Sequence, residues 1–317
     1  MTGLLSRPGN RHAVAVRDWR RERFEELFAL ADDLERRSPE ELRTLAQGTL
    51  LGVLFYQNST RTRLSFETAM RRIGGASVGF ADAATTRAGD FFQETLEDTV
   101  RIVGGYTDVL VLRHTDDDAA ERAALHSPVP VISAGTGERE HPTQAMLDTW
   151  MMRRRLGSLD GAHIGLVGDP ACRTLRSILY AVAACGASRV TFLAPEGHTL
   201  PEDVTGVLRA HHASWQLAES ATDMVRQVDA ISMIPFELPD FHVSAAAATR
   251  DREPLPERYR FTRALLAGSP VQVFHTGPRG DELPAEVDDL ANVRYFDGVQ
   301  HGVTLRAALL ADLLDRA

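Results

Sequence analysis

Apolar positions along the chain switch repeatedly between two periods. From Asp18 to Arg37, Phe24, Leu27, Phe28, Ala31 and Leu34 recur at helical spacing with arginines and acids between them, the pattern of an amphipathic helix laid on a sheet. Leu50 to Tyr56 is an apolar run of strand length, Leu64 to Ile73 returns to helical spacing, and Ala76 to Phe80 predicts a short second strand. The alternation goes on with a helix over Glu94 to Tyr106, strands at Val109 to Leu112 and Val129 to Ser133, and a helix over Ala145 to Leu156. After Leu159-Asp160-Gly161 it restarts, with strands at His163 to Val167, Val190 to Leu193, Asp229 to Ile234 and Val271 to Phe274. A helix is expected over Thr174 to Ala184, loop and helix near Tyr259 to Leu266, and an apolar helix over Val303 to Leu314 that packs back on the first part. Strands alternating with helices predict two α/β units, each a doubly wound parallel sheet.

Two stretches fall outside this alternation. Asp82 to Gln93 mixes small residues, charges and the adjacent Phe91 and Phe92 without periodicity, the composition of a loop that either closes over a site or merely connects. Ser59-Thr60-Arg61-Thr62-Arg63 stands where the first strand gives way to a helix. A helix leaves its first backbone N–H groups without intrahelical partners, and its dipole favours an anion there. Three hydroxyls and two arginines in five residues add donors suited to phosphate oxygens. The plainer alternative is an ordinary cap, with Ser59 or Thr60 capping and Glu67 among the early acids. No Gly-x-x-x-x-Gly-Lys precedes the stretch, so it is not a P-loop.

Further candidates sit at strand ends, where open α/β sheets hold ligands. Arg113-His114 ends one strand, and His141-Pro142-Thr143-Gln144 opens the helix after Gly135-Thr136-Gly137. Proline suits a first helical turn, and His141 and Gln144, three apart, can reach one ligand. In the second unit Gly168-Asp169-Pro170-Ala171-Cys172-Arg173 has the look of a dinucleotide turn but lacks the Gly-x-Gly-x-x-Gly spacing, which argues against a nicotinamide site. Arg173 caps that junction, where it suits a carboxylate. His275-Thr276-Gly277-Pro278-Arg279 follows the last strand.

Composition narrows the ligand. The 317 residues, 44% hydrophobic, suffice for two domains, and the net charge of −9 argues against a general nucleic-acid or anionic-membrane binder. No apolar run reaches membrane-spanning length. Cys172 and Cys185 alone make neither a disulfide framework nor a zinc site, and no basic-then-apolar leader opens the chain, so a cytoplasmic location is expected. All 35 residues counted as Lys+Arg are arginine. Any cationic role therefore falls to arginine, histidine or the N-terminus.

With these motifs in this order, the chain from about Leu50 onward resembles the aspartate/ornithine carbamoyltransferases, and Phe55 to Phe80 and Ala134 to Asp148 carry the likeness most specifically. It is nearer the aspartate branch, through His141-Pro142-Thr143-Gln144 and Gly168-Asp169 and for want of a Ser-Met-Gly loop. The resemblance implies a carbamoyl phosphate domain over residues 1–145, an acceptor domain over 146–292 and a returning C-terminal helix over 293–317. It implies a homotrimer with shared active sites, needing neither cofactor nor metal, in which an uncharged amine attacks the carbonyl carbon of carbamoyl phosphate and phosphate leaves. Ser59, Thr60, Arg61 and Thr62 would hold the phosphate, with Arg113, His141, Gln144 and Gly277 completing the carbamoyl phosphate site. Thr62, Arg113 and His141 would polarise the carbonyl oxygen as charge grows on it, and Arg61 and Gln144 join them as catalytic candidates. Arg173 would take the acceptor's α-carboxylate, beside Thr276, with Arg306 supporting the site.

The acceptor pocket departs from the aspartate pattern. That branch holds the side-chain carboxylate with an arginine after the fourth strand of the second domain and with a loop lysine from the neighbouring subunit. Here the first position is Pro235, and the lysine cannot exist in this chain; the loop carries Arg87, Asp90, Phe91 and Phe92 instead. Glu237 and Asp90 would repel a second carboxylate, and Gly277 opens the wall of the pocket. These changes favour a diamino acid acceptor, 2,3-diaminopropionate or ornithine-like. Aspartate with Arg87 as substitute cation is the alternative, and a catalytically silent binding paralogue a further one.

Overall fold

A computed structural model of the protein describes residues 12–88, 94–236 and 254–316. The chain divides into two compact units, the described residues of Met1–Leu147 with those of Val299–Ala317, and the described residues of Asp148–Gly298. Each is built on one parallel sheet.

The first sheet has the order β2-β1-β3-β4, from β1 (Leu50–Phe55), β2 (Ala76–Phe80), β3 (Val109–His114) and β4 (Val131–Thr136). β1 is buried from Leu51 on and β4 throughout, as expected of strands covered on both faces. Helices α1 (Arg21–Arg36), α2 (Pro39–Leu45), α3 (Thr60–Arg72), α4 (Leu96–Gly104) and α5 (Ala119–His126) belong to this unit. α1 buries the stripe read from the sequence, Phe24, Leu27, Phe28, Ala31 and Leu34, each large apolar side chain contributing about 1.5–3 kcal/mol. The segment before α1 extends the sheet: Ala13 pairs in parallel with Ile132, its N–H donating to Val131 O at 2.8 Å.

The second sheet has the order β7-β6-β5-β8-β9, from β5 (His163–Val167), β6 (Arg189–Leu193), β7 (Ser214–Leu217), β8 (Ala230–Met233) and β9 (Gln272–His275). With it go α7 (Arg173–Ala184), α8 (Glu202–Ala210), α9 (Ala221–Val225) and the short α10 (Arg263–Leu266). Val167, Met224, Ile231, Val273, Phe261 and Leu283 form part of its core. The division between units falls inside α6 (Pro142–Leu156) and α11 (Asp297–Leu313). Among the described residues, no helix is long and apolar enough to cross a membrane.

Strand order locates the crevices. In the first sheet the chain runs outward from β1 to β2 and returns to the other side at β3, so the order reverses between β1 and β3. In the second it reverses between β5 and β8. Ligands of open α/β sheets sit beyond the strands' carboxyl ends at such reversals.

Candidate active site

The first reversal is flanked by the hydroxyl-rich turn and by Arg113, since Phe55, the last residue of β1, lies in register with Arg113 on β3. α3 begins at Thr60 with Ser59 as its N-cap residue, and Ser59 is extended (φ −159°, ψ 107°) with no side-chain cap hydrogen bond. The ordinary cap predicted as the alternative is therefore not made by Ser59, and no acid lies in the first turn. Thr62 is buried, Ser59 half-buried, and Thr60 and Arg61 are exposed. Arg63 points its charge along the helix, 3.6 Å from Glu67. The first-turn N–H groups and hydroxyls thus meet the positive end of the helix dipole without a protein carboxylate in the turn, which suits an incoming anion.

Arg113 and His141 come together from elements 28 residues apart. Arg113 is buried, its Nη1 donates to Ala134 O at 2.8 Å, and the same Nη1 lies 3.5 Å from His141 Nε2. His141 is buried ahead of Pro142, the first residue of α6, and its carbonyl accepts from Gln144 N at 3.1 Å and Ala145 N at 3.2 Å. The two side chains meet at these two nitrogens. A carbonyl oxygen placed there accepts from the guanidinium, and also from the imidazole when that ring carries its proton on Nε2. Gln144 is half-buried in the same first turn.

Aromatic and hydrogen-bond contacts brace this corner. His114 packs on Tyr56 with ring centroids 4.5 Å apart, and its Nδ1 accepts from Asp116 N–H at 3.0 Å. Burial lowers the His114 pKa, so the ring is neutral at physiological pH. Arg306 lies over the Phe66 ring on α3, 5.3 Å from its centroid, and donates to Gly302 O at 3.1 Å, a brace under the helix that carries the turn. Sequence reasoning missed Glu140, buried beside His141 in the chain, whose carboxyl burial pushes up to about 7.

In the second unit Arg173 is the first residue of α7, directly after the turn that follows β5. Asp169 Oδ1 accepts from Ala171 N–H at 2.8 Å to shape that turn, and burial pushes the thiol pKa of Cys172, the N-cap residue, up. Thr276 leaves β9 with its N–H donating to Met233 O at 2.9 Å. Gly277 has φ +69°, a left-handed backbone that favours glycine, and precedes a cis bond to Pro278. Glycine at this position thus answers a backbone need. The turn is held by a buried pair missed in the sequence: His275 Nε2 lies 2.9 Å from Glu282 Oε1, and His275 Nδ1 accepts from Gly277 N–H at 2.8 Å. Burial opposes ionisation of Glu282, but hydrogen bonds from His275 and the Gly280 N–H outweigh it and lower its pKa.

Arg87 is exposed, its carbonyl accepting from Glu94 N–H at 2.9 Å. Asp90 and Glu237, on which the diamino acid expectation leans, lie outside the described residues. Ser59, Thr60, Arg61, Thr62, Arg113, His141 and Gln144 belong to the first unit; Arg173, Thr276 and Gly277 belong to the second.

Comparison with known proteins gives concordant matches. Residues 11–154 match the family model for the aspartate/ornithine carbamoyltransferase carbamoyl-P binding domain, and residues 160–313 that for the Asp/Orn binding domain. The aspartate carbamoyltransferase catalytic subunit of Methanopyrus kandleri is 37% identical over 312 residues, covering 96% of this chain and 98% of that one. Its counterpart from Methanocaldococcus jannaschii is 33% identical over 311 residues, with coverage of 96% and 98%. The solved catalytic subunit of the M. jannaschii enzyme superposes with a TM-score of 0.85 at 32% identity, covering 96% and 98% of the two chains. Aspartate transcarbamoylase of Trypanosoma cruzi, solved in complex with carbamoyl phosphate and aspartate, gives 0.82 at 31% identity, covering 96% and 95%.

Proposed function

The chain belongs to the aspartate/ornithine carbamoyltransferase family and is a carbamoyltransferase, and from that premise we propose that it carbamoylates aspartate. The observation that carries the chemistry is the uncapped, acid-free first turn of α3 beside the Arg113–His141 pair. Phosphate oxygens take the first-turn N–H groups and the hydroxyls of Ser59, Thr60 and Thr62, with Arg61 closing on them. The carbonyl oxygen takes Thr62, Arg113 and His141, with Gln144 at the amide end. As the aspartate nitrogen bonds to the carbonyl carbon, negative charge builds on that oxygen, where fixed donors stabilise it most. The intermediate collapses by breaking the bond to the phosphate oxygen, and the leaving phosphate accepts the amine's proton, so no side-chain base is needed.

Support for aspartate as acceptor comes from relatives and solved neighbours bearing that name over nearly the whole chain. Arg173 takes the α-carboxylate. Arg87, in a chain without lysine, is the substitute cation for the side-chain carboxylate. A homotrimer with shared sites, in the cytoplasm, is the assembly this reading expects, and light scattering at about 105 kDa, three times 34.8 kDa, tests it.

A second reading is favoured by a specific observation: Pro235 and the missing lysine remove the two cations that a second carboxylate would use. It takes a diamino acid in place of aspartate. Phosphate release from carbamoyl phosphate, measured with aspartate, ornithine and 2,3-diaminopropionate, separates the two. Aspartate is expected to give the highest kcat/KM and Arg87→Ala to abolish that preference. A preference for a diamino acid would overturn the aspartate reading and leave the carbamoyl transfer intact.

A further inference from the structure

Glu140 is buried beside the catalytic corner, and the proposed chemistry does not use it. Its side chain is 4% exposed, and a carboxylate so enclosed must be satisfied or be a liability. It is held from the N-terminal end of the described chain, one oxygen by a hydrogen bond and the other by an ion pair alone. Oε2 accepts from Val16 N–H at 2.7 Å, across 124 residues, and Oε1 lies 3.4 Å from Arg17 Nη1. Arg17 is shared, its Nη2 donating to Glu121 Oε1 on α5 at 3.3 Å.

The backbone of Glu140 is tied as firmly. Its carbonyl accepts from Thr136 N–H at 3.3 Å, closing an antiparallel bridge over residues 137–139. That loop turns at Gly137, with φ +46°, where a Cβ would come 1.9 Å from Asp117 Oδ1. Glu140 therefore joins the N-terminal segment, the end of β4 and the start of α6, and the next residue is His141.

We propose that Glu140 is a positioning residue for His141, its carboxylate tying the loop before α6 to Val16 and Arg17 so that the imidazole stays against the Arg113 guanidinium. A glutamine in its place could accept from Val16 N–H, but its amide NH₂ would then face Arg17, a donor against a donor. Only the ion offers an acceptor to both Val16 and Arg17, and burial makes that ion costly. Arg17 and Glu121 are the charged groups facing it; Arg17 favours the carboxylate, while burial and Glu121 oppose it. The clamp consequently weakens as Glu140 takes up a proton, and the catalytic corner loosens on the acid side of neutrality.

This inference rests on the role proposed for His141, and the test separates the two. kcat and KM for carbamoyl phosphate are measured from pH 5.5 to 8.5 on the full chain, with the best acceptor of the panel, for wild type, Glu140→Gln, Arg17→Met and His141→Ala. Glu140→Gln is expected to lower kcat about tenfold at pH 8 through misplacement of the imidazole, with KM for carbamoyl phosphate within about twofold because the phosphate is held at α3. The ratio of wild-type to glutamine-variant kcat should rise with pH through a midpoint near 7, and Arg17→Met, which removes the facing cation from the surface, should move that midpoint upward. Glu140→Gln activity equal to wild type across the range, or a midpoint that Arg17→Met leaves in place, overturns the proposal; if Glu140→Gln fails to fold, the acid-side midpoint of kcat itself, Arg17→Met against wild type, decides alone. Those results with His141→Ala inactive overturn the inference only, whereas His141→Ala within about twofold of wild type overturns the site reading beneath it.

Discussion

Replacing Arg113 by methionine separates catalysis from structure at the centre of the site. Arg113 is 7% exposed and donates to Ala134 O at 2.8 Å. Methionine fills most of the volume but donates nothing. Losing one preorganised donor to a developing oxyanion costs about 10²–10³ in kcat, or about 2.7–4 kcal/mol. For stability two effects oppose each other: the Ala134 carbonyl loses its donor, about 1–3 kcal/mol, while the fold no longer has to bury a guanidinium, a cost of several kcal/mol per ion. The fold should therefore be changed little and the chemistry a great deal. Phosphate release at saturating carbamoyl phosphate and acceptor gives kcat, and urea unfolding gives the stability of the same preparation. A variant within about threefold of wild-type kcat would make Arg113 a structural residue. A loss confined to KM would mean that it binds ground and transition states alike.

Three further outcomes follow from the hydrogen bonding. Ser59→Ala should cost less than about 0.5 kcal/mol because Ser59 makes no cap bond, yet weaken carbamoyl phosphate binding; Ser38→Ala, whose hydroxyl accepts from Glu41 N–H in a complete capping box, should cost about 1 kcal/mol and leave binding alone. Calorimetry and melting of both variants check the contrast. Glu140 binds its proton more tightly folded, near pH 7, than at the ordinary 4.5, so native stability falls as pH rises through that window and stays low above it. Glu140→Gln should recover part of about 3 kcal/mol at pH 8, and a glutamine variant less stable than wild type at pH 8 but not at pH 5 would contradict the sign. Glu282 has the opposite linkage: its pKa is lowered, so its contribution is present above the ordinary glutamate value and lost as pH falls. Glu282→Ala leaves the buried His275 Nε2–H and the Gly280 N–H without their acceptor and should cost at least about 1–3 kcal/mol, read by urea unfolding at pH 7; a loss under about 0.5 kcal/mol would refute this role in holding the turn.

What the sequence disclosed depended on whether the signal was local. β1, β3 and β5 are buried on both faces and read as continuous apolar runs, and the α1 stripe repeats at helical spacing. The turn at Ser59 was legible because a strand end, hydroxyls and a helix start adjoin in the chain. α2 buries no residue, α5 turns only alanines inward, and all of β7 is exposed at a sheet edge, so none leaves an apolar period to read. Contacts made through space were invisible: nothing near Glu140 announces Val16, and nothing in His275 announces Glu282. Gly277 was visible as a departure from the family pattern, but its left-handed backbone was not.

In the proposed reaction carbamoyl phosphate is held by its phosphoryl group at the first turn of α3 while Arg113 and His141 polarise its carbonyl. A crystal structure of the full chain with carbamoyl phosphate tests it most directly. Phosphoryl oxygens should lie within hydrogen-bond distance of the N–H groups and hydroxyls of Ser59, Thr60 and Thr62, and the carbonyl oxygen between the Arg113 guanidinium and the His141 ring. A phosphoryl group bound elsewhere, with that turn bare, would contradict it.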